Sequence, residues 1–213
     1  MFTVKLYRDG KSRIYEAGSV TVLHGANDHE LTLHAVPGRD VLDLGCGTGG
    51  VSAHLRRTLP GVEVTASDLL EAGLARAQRR LDGVRLVQMD ARSLPFEEEF
   101  DVIGAFDMLE HIDEDEAVMA EMFRAVRPGG GVVVTVPQHR FLWSGIDEFS
   151  HHKRRYRRRE LTGRLERAGF RVRRTTSFVS ILLPALLVSR AMERRSAKPL
   201  DPLAEYRVPG LMN

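Results

Sequence analysis

A single cysteine among 213 residues, Cys46, excludes an internal disulfide and fits a reducing compartment. Charge of one sign is also missing. The formal net charge is +2, so no global field argues for nucleic acid as a partner. Long apolar runs are absent: the stretch Phe178–Val188, with Pro184 inside it, is too short to span a bilayer. No charged segment followed by an apolar one opens the chain, so no signal peptide is expected and the expected location is cytoplasmic. Internal repeats are lacking too. The remaining composition, 43% apolar and 28% charged, is that of a soluble globular protein, at a length that suits one domain and is short for two.

What the chain does have is glycine in one place. In Val41-Leu42-Asp43-Leu44-Gly45-Cys46-Gly47-Thr48-Gly49-Gly50, strand-compatible residues run into a glycine-rich turn and a helical pattern follows. Glycine lets a backbone adopt φ > 0 and come close to a ligand. Gly45, Gly47 and Gly50 satisfy G-x-G-x-x-G, the dinucleotide fingerprint, with the acid Asp68 downstream. Asp43-x-Gly45-x-Gly47-x-Gly49 spells a different loop. A carboxylate two positions before the first glycine would repel a pyrophosphate and attract an ammonium or sulfonium. Asp43 could equally brace the loop by accepting backbone N–H groups.

Along the chain, Phe2, Val4 and Leu6 alternate with polar residues, Asp9-Gly10 signals a hairpin turn and Ile14-Tyr15 resumes a strand pattern, with a third short strand at Val20–Leu23. A small antiparallel hairpin extension is therefore expected over residues 1–24. A short helix is expected at 26–36. Strands are expected at Asp40–Leu44, Val62–Ser67, Val84–Met89, Asp101–Phe106, Gly131–Val136 and Phe170–Thr176, separated by helical patterns. Strand and helix alternating at this spacing means α/β, a doubly wound and mostly parallel sheet with right-handed crossovers. The helix after Phe106 is expected to start at Asp113, with Glu116 as capping-box partner. The main domain is assigned to 25–180, and an apolar segment with a proline-containing tail to 181–213.

The glycine loop, Asp68 after the second of these main strands, Asp90 after the third, Asp101–Ile112 and Arg127-Pro128-Gly129-Gly130 together resemble the ordered motifs of the class I S-adenosylmethionine-dependent methyltransferases, over roughly residues 35–180. The resemblance implies a seven-stranded Rossmann-like sheet with S-adenosyl-L-methionine across the carboxyl ends of its first strands. It implies that Asp68, beside Leu69, accepts from the ribose hydroxyls, and that Asp90 meets the adenine amino group, with Ala91 offering its backbone N–H. Gly45, Gly47 and Gly49 would let the backbone approach the amino-acid end of the cofactor, with Asp43 at the strand end. Phe106 lies where the family presents a backbone carbonyl near the sulfonium, and Leu109 and His111 line the same wall. Cys46 reads as a small filler in this loop. The family's reversed final strand has no counterpart in the pattern after residue 177, so the C-terminal edge of the sheet is expected to be incomplete.

Methyl transfer requires a nucleophile in line with the S–CH₃ bond and exclusion of water. A hydroxyl acceptor must also lose a proton, and His139, Asp147 and His152, with His151, follow the strand beside which the acceptor would sit. Each could instead be an ordinary surface residue. No metal is expected. Leu142-Trp143-Ser144, Asp147 and His152–Tyr156 resemble a signature of one bacterial, small-molecule branch of the family. Phe141 and Trp143 could wall an acceptor pocket, and Arg154 or Arg155 could hold a carboxylate or phosphate; a solvated basic helix start at Lys153–Arg159 is the alternative. Residues 178–195, flanked by arginines, could touch a membrane surface peripherally, or bury against a second copy in a homodimer. The expected acceptor is a small molecule, lipid-linked or quinone-like. The alternatives are an NAD(P)-binding oxidoreductase and a non-catalytic binding module of the same fold.

Overall fold

The computed structural model describes residues 2–7, 19–22, 31–34, 39–59, 61–177 and 187–188. Its strands are β1 Phe2–Tyr7, β2 Ser19–Val22, β3 Leu31–His34, β4 Asp40–Leu44, β5 Glu63–Asp68, β6 Arg85–Gln88, β7 Phe100–Phe106, β8 Val126–Val136 and β9 Arg171–Ser177. Between them lie α1 Gly50–Thr58, α2 Glu71–Gln78, α3 Asp115–Ala125, α4 Gly145–Phe149 and α5 Arg158–Arg167.

Seven strands form one sheet in the order β6-β5-β4-β7-β8-β1-β9. The pairs from β6 through β8 are all parallel. The chain runs β4, β5, β6 toward one edge and then returns to β7 on the other side of β4, and this reversal places the ligand crevice at the carboxyl ends of β4 and β7. The doubly wound α/β architecture is as the pattern of elements indicated.

β4, β7 and β8 are buried along almost their whole length, as strands covered on both faces must be. The larger core cluster joins Leu42, Leu44 and Ile103 to the α3 stripe Val118, Met119, Met122 and Ala125 and to Leu161 and Leu165 of α5. A second cluster sets Val51 and Leu55 of α1 against Val41 and Val64. Between β7 and β8 the register shifts, Phe100 facing Val126 and Val102 facing Gly131, so Arg127–Gly130 is an irregularity inside β8. Gly130 is required there: a Cβ would come within 2.6 Å of the Asp101 carbonyl oxygen.

Three local expectations are corrected. β1 does not fold into an N-terminal hairpin; it runs antiparallel to both β8 and β9 inside the main sheet. It takes the place expected of a reversed strand after residue 177, so the edge read as incomplete carries a reversed strand, and residues 2–7 belong with the sheet rather than with a separate 1–24 extension. An alternating strand fits any antiparallel neighbour, and the exposed backbone of β8 offers a longer one than a local turn could. The Asp9-Gly10 turn and the Ile14-Tyr15 strand lie outside the described residues. Within the expected 26–36 helix, Leu31–His34 is instead strand, paired with β2. Finally α3 begins at Asp115 after Glu114, with no side-chain cap. Asp115 is 1% exposed and accepts from the Tyr156 hydroxyl at 2.6 Å and from Arg164. The expected capping pair is engaged elsewhere: Asp113 faces Lys153 and Arg154, and Glu116 faces Arg167.

Among the described residues no helix is long and apolar enough to cross a membrane. The 178–195 segment lies almost wholly outside the described residues; Leu187 and Val188 are exposed.

Candidate active site

The rim above β4, β5 and β6 is built by the glycine loop and two acidic corners. Gly45, Gly47 and Gly49 have φ of 75°, 54° and 77°, which turn the chain sharply out of β4. At Gly45 a Cβ would stand 2.5 Å from Met108 Cγ, so this glycine permits close packing against the loop after β7. At Gly47 a Cβ would meet nothing within 4 Å. The Gly47 backbone therefore borders open space, as a cradle for a ligand should.

Asp68 closes this loop from β5. Its Oδ2 accepts from the Gly47 N–H at 2.8 Å and its Oδ1 from the Leu70 N–H at 2.9 Å. Each carboxylate oxygen keeps a further lone pair for a ligand hydroxyl. Leu69 and Leu70 stand 56% and 66% exposed beside it, an apolar wall open to solvent. Cys46 sits below, its thiol pushed up to about 12 by burial first and by the carboxylates of Asp43 and Asp68 next. It is inert filler, as a protonated thiol must be.

Asp43 is 1% exposed and its Oδ2 accepts from the Ser52 hydroxyl of α1 at 2.5 Å. The carboxylate thus braces through a side-chain hydroxyl, tying β4 to the helix after the loop. Asp90 is engaged by a residue that the sequence did not single out. Arg92 donates from Nε to Asp90 Oδ1 at 3.0 Å and from Nη2 to Oδ2 at 2.7 Å, and reaches Glu114 at 3.1 Å. The side-chain and backbone hydrogen bonds from Arg92 hold the Asp90 carboxyl below its ordinary value. An adenine amino group at Asp90 would share it with this guanidinium. Ala91 is half-buried against the core, Phe106 is buried in the α1-side cluster, and the Leu109 side chain is wholly buried, its carbonyl accepting from the Tyr156 hydroxyl at 3.2 Å. Leu109 packs under the rim instead of lining it.

The loops after β7 and β8 bring a second set together. Asp147 is fully buried and accepts from the Ser144 N–H at 2.9 Å, from Arg155 Nε at 2.7 Å and from Arg155 Nη2 at 3.0 Å. Its Oδ1 also lies 2.9 Å from His152 Nδ1. Burial would raise its carboxyl, but the hydrogen bonds from His152 and Arg155 hold it well below the usual carboxylate range. Asp147 therefore orients His152, leaving Nε2 of that ring uncommitted to Asp147. The His152 ring meets His111 edge to face at 4.7 Å, and Glu110 lies alongside. His139 is apart from these, tilted against Phe141 at 4.9 Å and lowered in pKa, chiefly by burial. Asp107, His139 and His151 have φ of 49°, 66° and 57°, non-glycine residues in a region that gathers at functional loops. Arg154 spends its guanidinium on Asp113 and Asp115, and Arg155 on Asp147, so both brace the loop.

Residues 41–130 match the family described as "Methyltransferase domain". That segment, from the first residues of β4 to the glycines inside β8, is similar to methyltransferase domains and contains the glycine loop, Asp68 and Asp90. The open cradle at Gly47 beside the Asp68 carboxylate fits S-adenosyl-L-methionine. Among its relatives, a phthiotriol/phenolphthiotriol dimycocerosates methyltransferase of Mycobacterium ulcerans is 38% identical over 111 residues, 50% of this chain and 41% of that protein. The ubiquinone biosynthesis O-methyltransferase of Pseudomonas putida is 40% identical over 104 residues, 46% of this chain and 44% of that one. The chain thus spans less than half the length of either curated relative. In fold it matches the phosphoethanolamine N-methyltransferase 2 of Haemonchus contortus with a TM-score of 0.59 at 23% identity, over 76% of this chain and 40% of that one.

Proposed function

We propose that this protein transfers the methyl group of S-adenosyl-L-methionine to an oxygen or nitrogen of a small-molecule acceptor, lipid-linked or quinone-like. The observation that carries the reading is the Asp68 carboxylate, bonded to the Gly47 N–H across an open glycine cradle. The acceptor class takes support from relatives named for a lipid and for ubiquinone biosynthesis.

When bound, the cofactor supplies a methyl activated on a cationic sulfur. The chain's own work is to bind, orient and exclude water. Asp68 accepts the ribose hydroxyls while holding the loop through Gly47 and Leu70. Leu69 flanks the adenine, with Asp90 and Ala91 at its far edge and Arg92 sharing the carboxylate. The glycine loop admits the amino-acid end, and Asp43 fixes the loop's position through Ser52. On the acceptor side Asp147 is a positioning residue: it aims His152 so that Nε2 is the atom available to a proton or another electrophile. His139 stands beyond, next to Phe141, as a second candidate for the acceptor wall.

Calorimetric titration with S-adenosylhomocysteine, with NADH in parallel and Asp68→Ala as control, tests the cofactor half. Micromolar binding lost in Asp68→Ala is expected, and binding of NADH instead would sink the reading. Transfer of a labelled methyl from S-adenosylmethionine to polyphenolic and lipid acceptors then tests the other half.

A further inference from the structure

We propose that Glu110, His111 and His152 form a binding site for a first-row divalent transition cation, on the acceptor side of the cofactor rim. The proposal rests on the methyltransferase reading for its role, though not for the site itself.

One potential ligand atom from each of these three side chains lies within 4.8 Å of the other two. Such atoms surround an ion at about 2.0–2.2 Å, so the set must contract modestly on loading, within the reach of side-chain rotation. The strongest sign is Glu110. Its residue is 1% exposed, yet its Oε2 is buried without a hydrogen-bond partner. A buried carboxylate oxygen left alone is costly, and native structures rarely keep one without a reason.

Both histidines are prepared in the manner of metal ligands, which commonly hold their second ring nitrogen on a carboxylate or carbonyl. His152 places Nδ1 on Asp147 at 2.9 Å, and His111 is hydrogen-bonded to the backbone of Ser150. Asp147 is itself fixed by Ser144 and Arg155, so the His152 ring has little freedom to turn. Local charge also favours a cation. Asp107 lies close enough to act on both Glu110 and His111, and the opposing charge of Arg155 is paired with Asp147. The cluster is tied together by the Lys153 N–H, which donates to the Glu110 carbonyl at 2.7 Å.

Two imidazoles and one carboxylate suit Zn²⁺, Mn²⁺, Fe²⁺ or Co²⁺ better than Ca²⁺ or Mg²⁺. Three protein ligands leave open positions, which an acceptor with neighbouring oxygens could fill. The cation would lower the pKa of the coordinated hydroxyl. That hydroxyl then loses its proton to water, its oxygen bonds to the methyl carbon, and the C–S bond breaks to release a neutral thioether. His152 acts in this scheme as a ligand and not as the base.

The test is titration of the metal-free protein with Co²⁺, followed by visible d–d absorption, beside S-adenosylhomocysteine calorimetry on the same samples. The expected result is one equivalent of Co²⁺ per chain, with affinity falling by roughly tenfold or more in Glu110→Gln and in His152→Ala while S-adenosylhomocysteine binding persists. A sample that binds S-adenosylhomocysteine but shows no Co²⁺ absorption overturns the site and leaves the methyltransferase reading standing. Equal Co²⁺ binding in the variants overturns it too, since the ion then sits elsewhere. Co²⁺ binding without S-adenosylhomocysteine binding keeps the site and sinks its proposed role. If a variant does not fold, the wild type decides: two imidazole N–H resonances shifted by Co²⁺ are expected, and none would refute the ligand set.

Discussion

The Asp68 carboxylate accepts a hydrogen bond from the Gly47 N–H at 2.8 Å, and so locks the end of β5 to the glycine loop that leaves β4. The same carboxylate accepts from Leu70, so its orientation beside the open cradle is held from two sides. Asp68→Asn replaces one acceptor oxygen by an amide that cannot accept from these N–H groups. A charged hydrogen bond contributes about 1.5–3 kcal/mol. Affinity for S-adenosylhomocysteine should therefore fall by about 10- to 100-fold, read by calorimetry, while the Tm changes little by comparison. An equal loss of fold and binding would mean that Asp68 is a structural brace alone.

The two glycines of the loop should respond differently to alanine. Gly45→Ala adds a Cβ 2.5 Å from Met108 Cγ at φ of 75°, combining backbone strain with overpacking, for about 3 kcal/mol. Gly47→Ala has room, and should cost about 1 kcal/mol from its positive φ alone. Its main effect should be weaker cofactor binding, because the methyl enters the cradle. Denaturant melts and calorimetry on both variants separate the outcomes.

Cys46 should resist thiol reagents at neutral pH, since its folded pKa is pushed up to about 12 from 9.0. Ellman's reagent should react only at the rate at which the chain unfolds. The fold favours the protonated thiol, so this contribution is complete below pH 9.0 and is lost as pH rises toward about 12. Rapid labelling of the native protein would show that the thiol is neither buried nor raised.

β1 is an interior strand of the sheet, with neighbours on both sides. Val4→Pro removes a backbone donor from that ladder and should destabilise the protein by about 3 kcal/mol or more. Amide exchange along Val132–Val136 of β8, the facing register, should quicken in the variant. Unchanged exchange there would place β1 outside the sheet.

Local patterns carried much of this molecule. The run Val41–Gly50 declared a strand, a tight glycine turn and a helix, because apolar periodicity and the absence of a Cβ act over a few residues. The acids Asp68 and Asp90 could be placed at strand ends for the same reason. The tertiary structure alone decided partners. The place of β1 depended on which long strand was left open, 126–136, which no turn signal near residue 9 encodes. Asp113 does not cap α3 because Lys153 and Arg154, remote in sequence, face its carboxylate, and Asp115 at the start of that helix serves Tyr156 and Arg164. Arg92 on Glu114, and His152 beside Glu110 and His111, likewise arise where separate loops meet above the sheet. Periodicity is written along the chain, whereas the compensation of buried charge is settled only between segments that folding brings together.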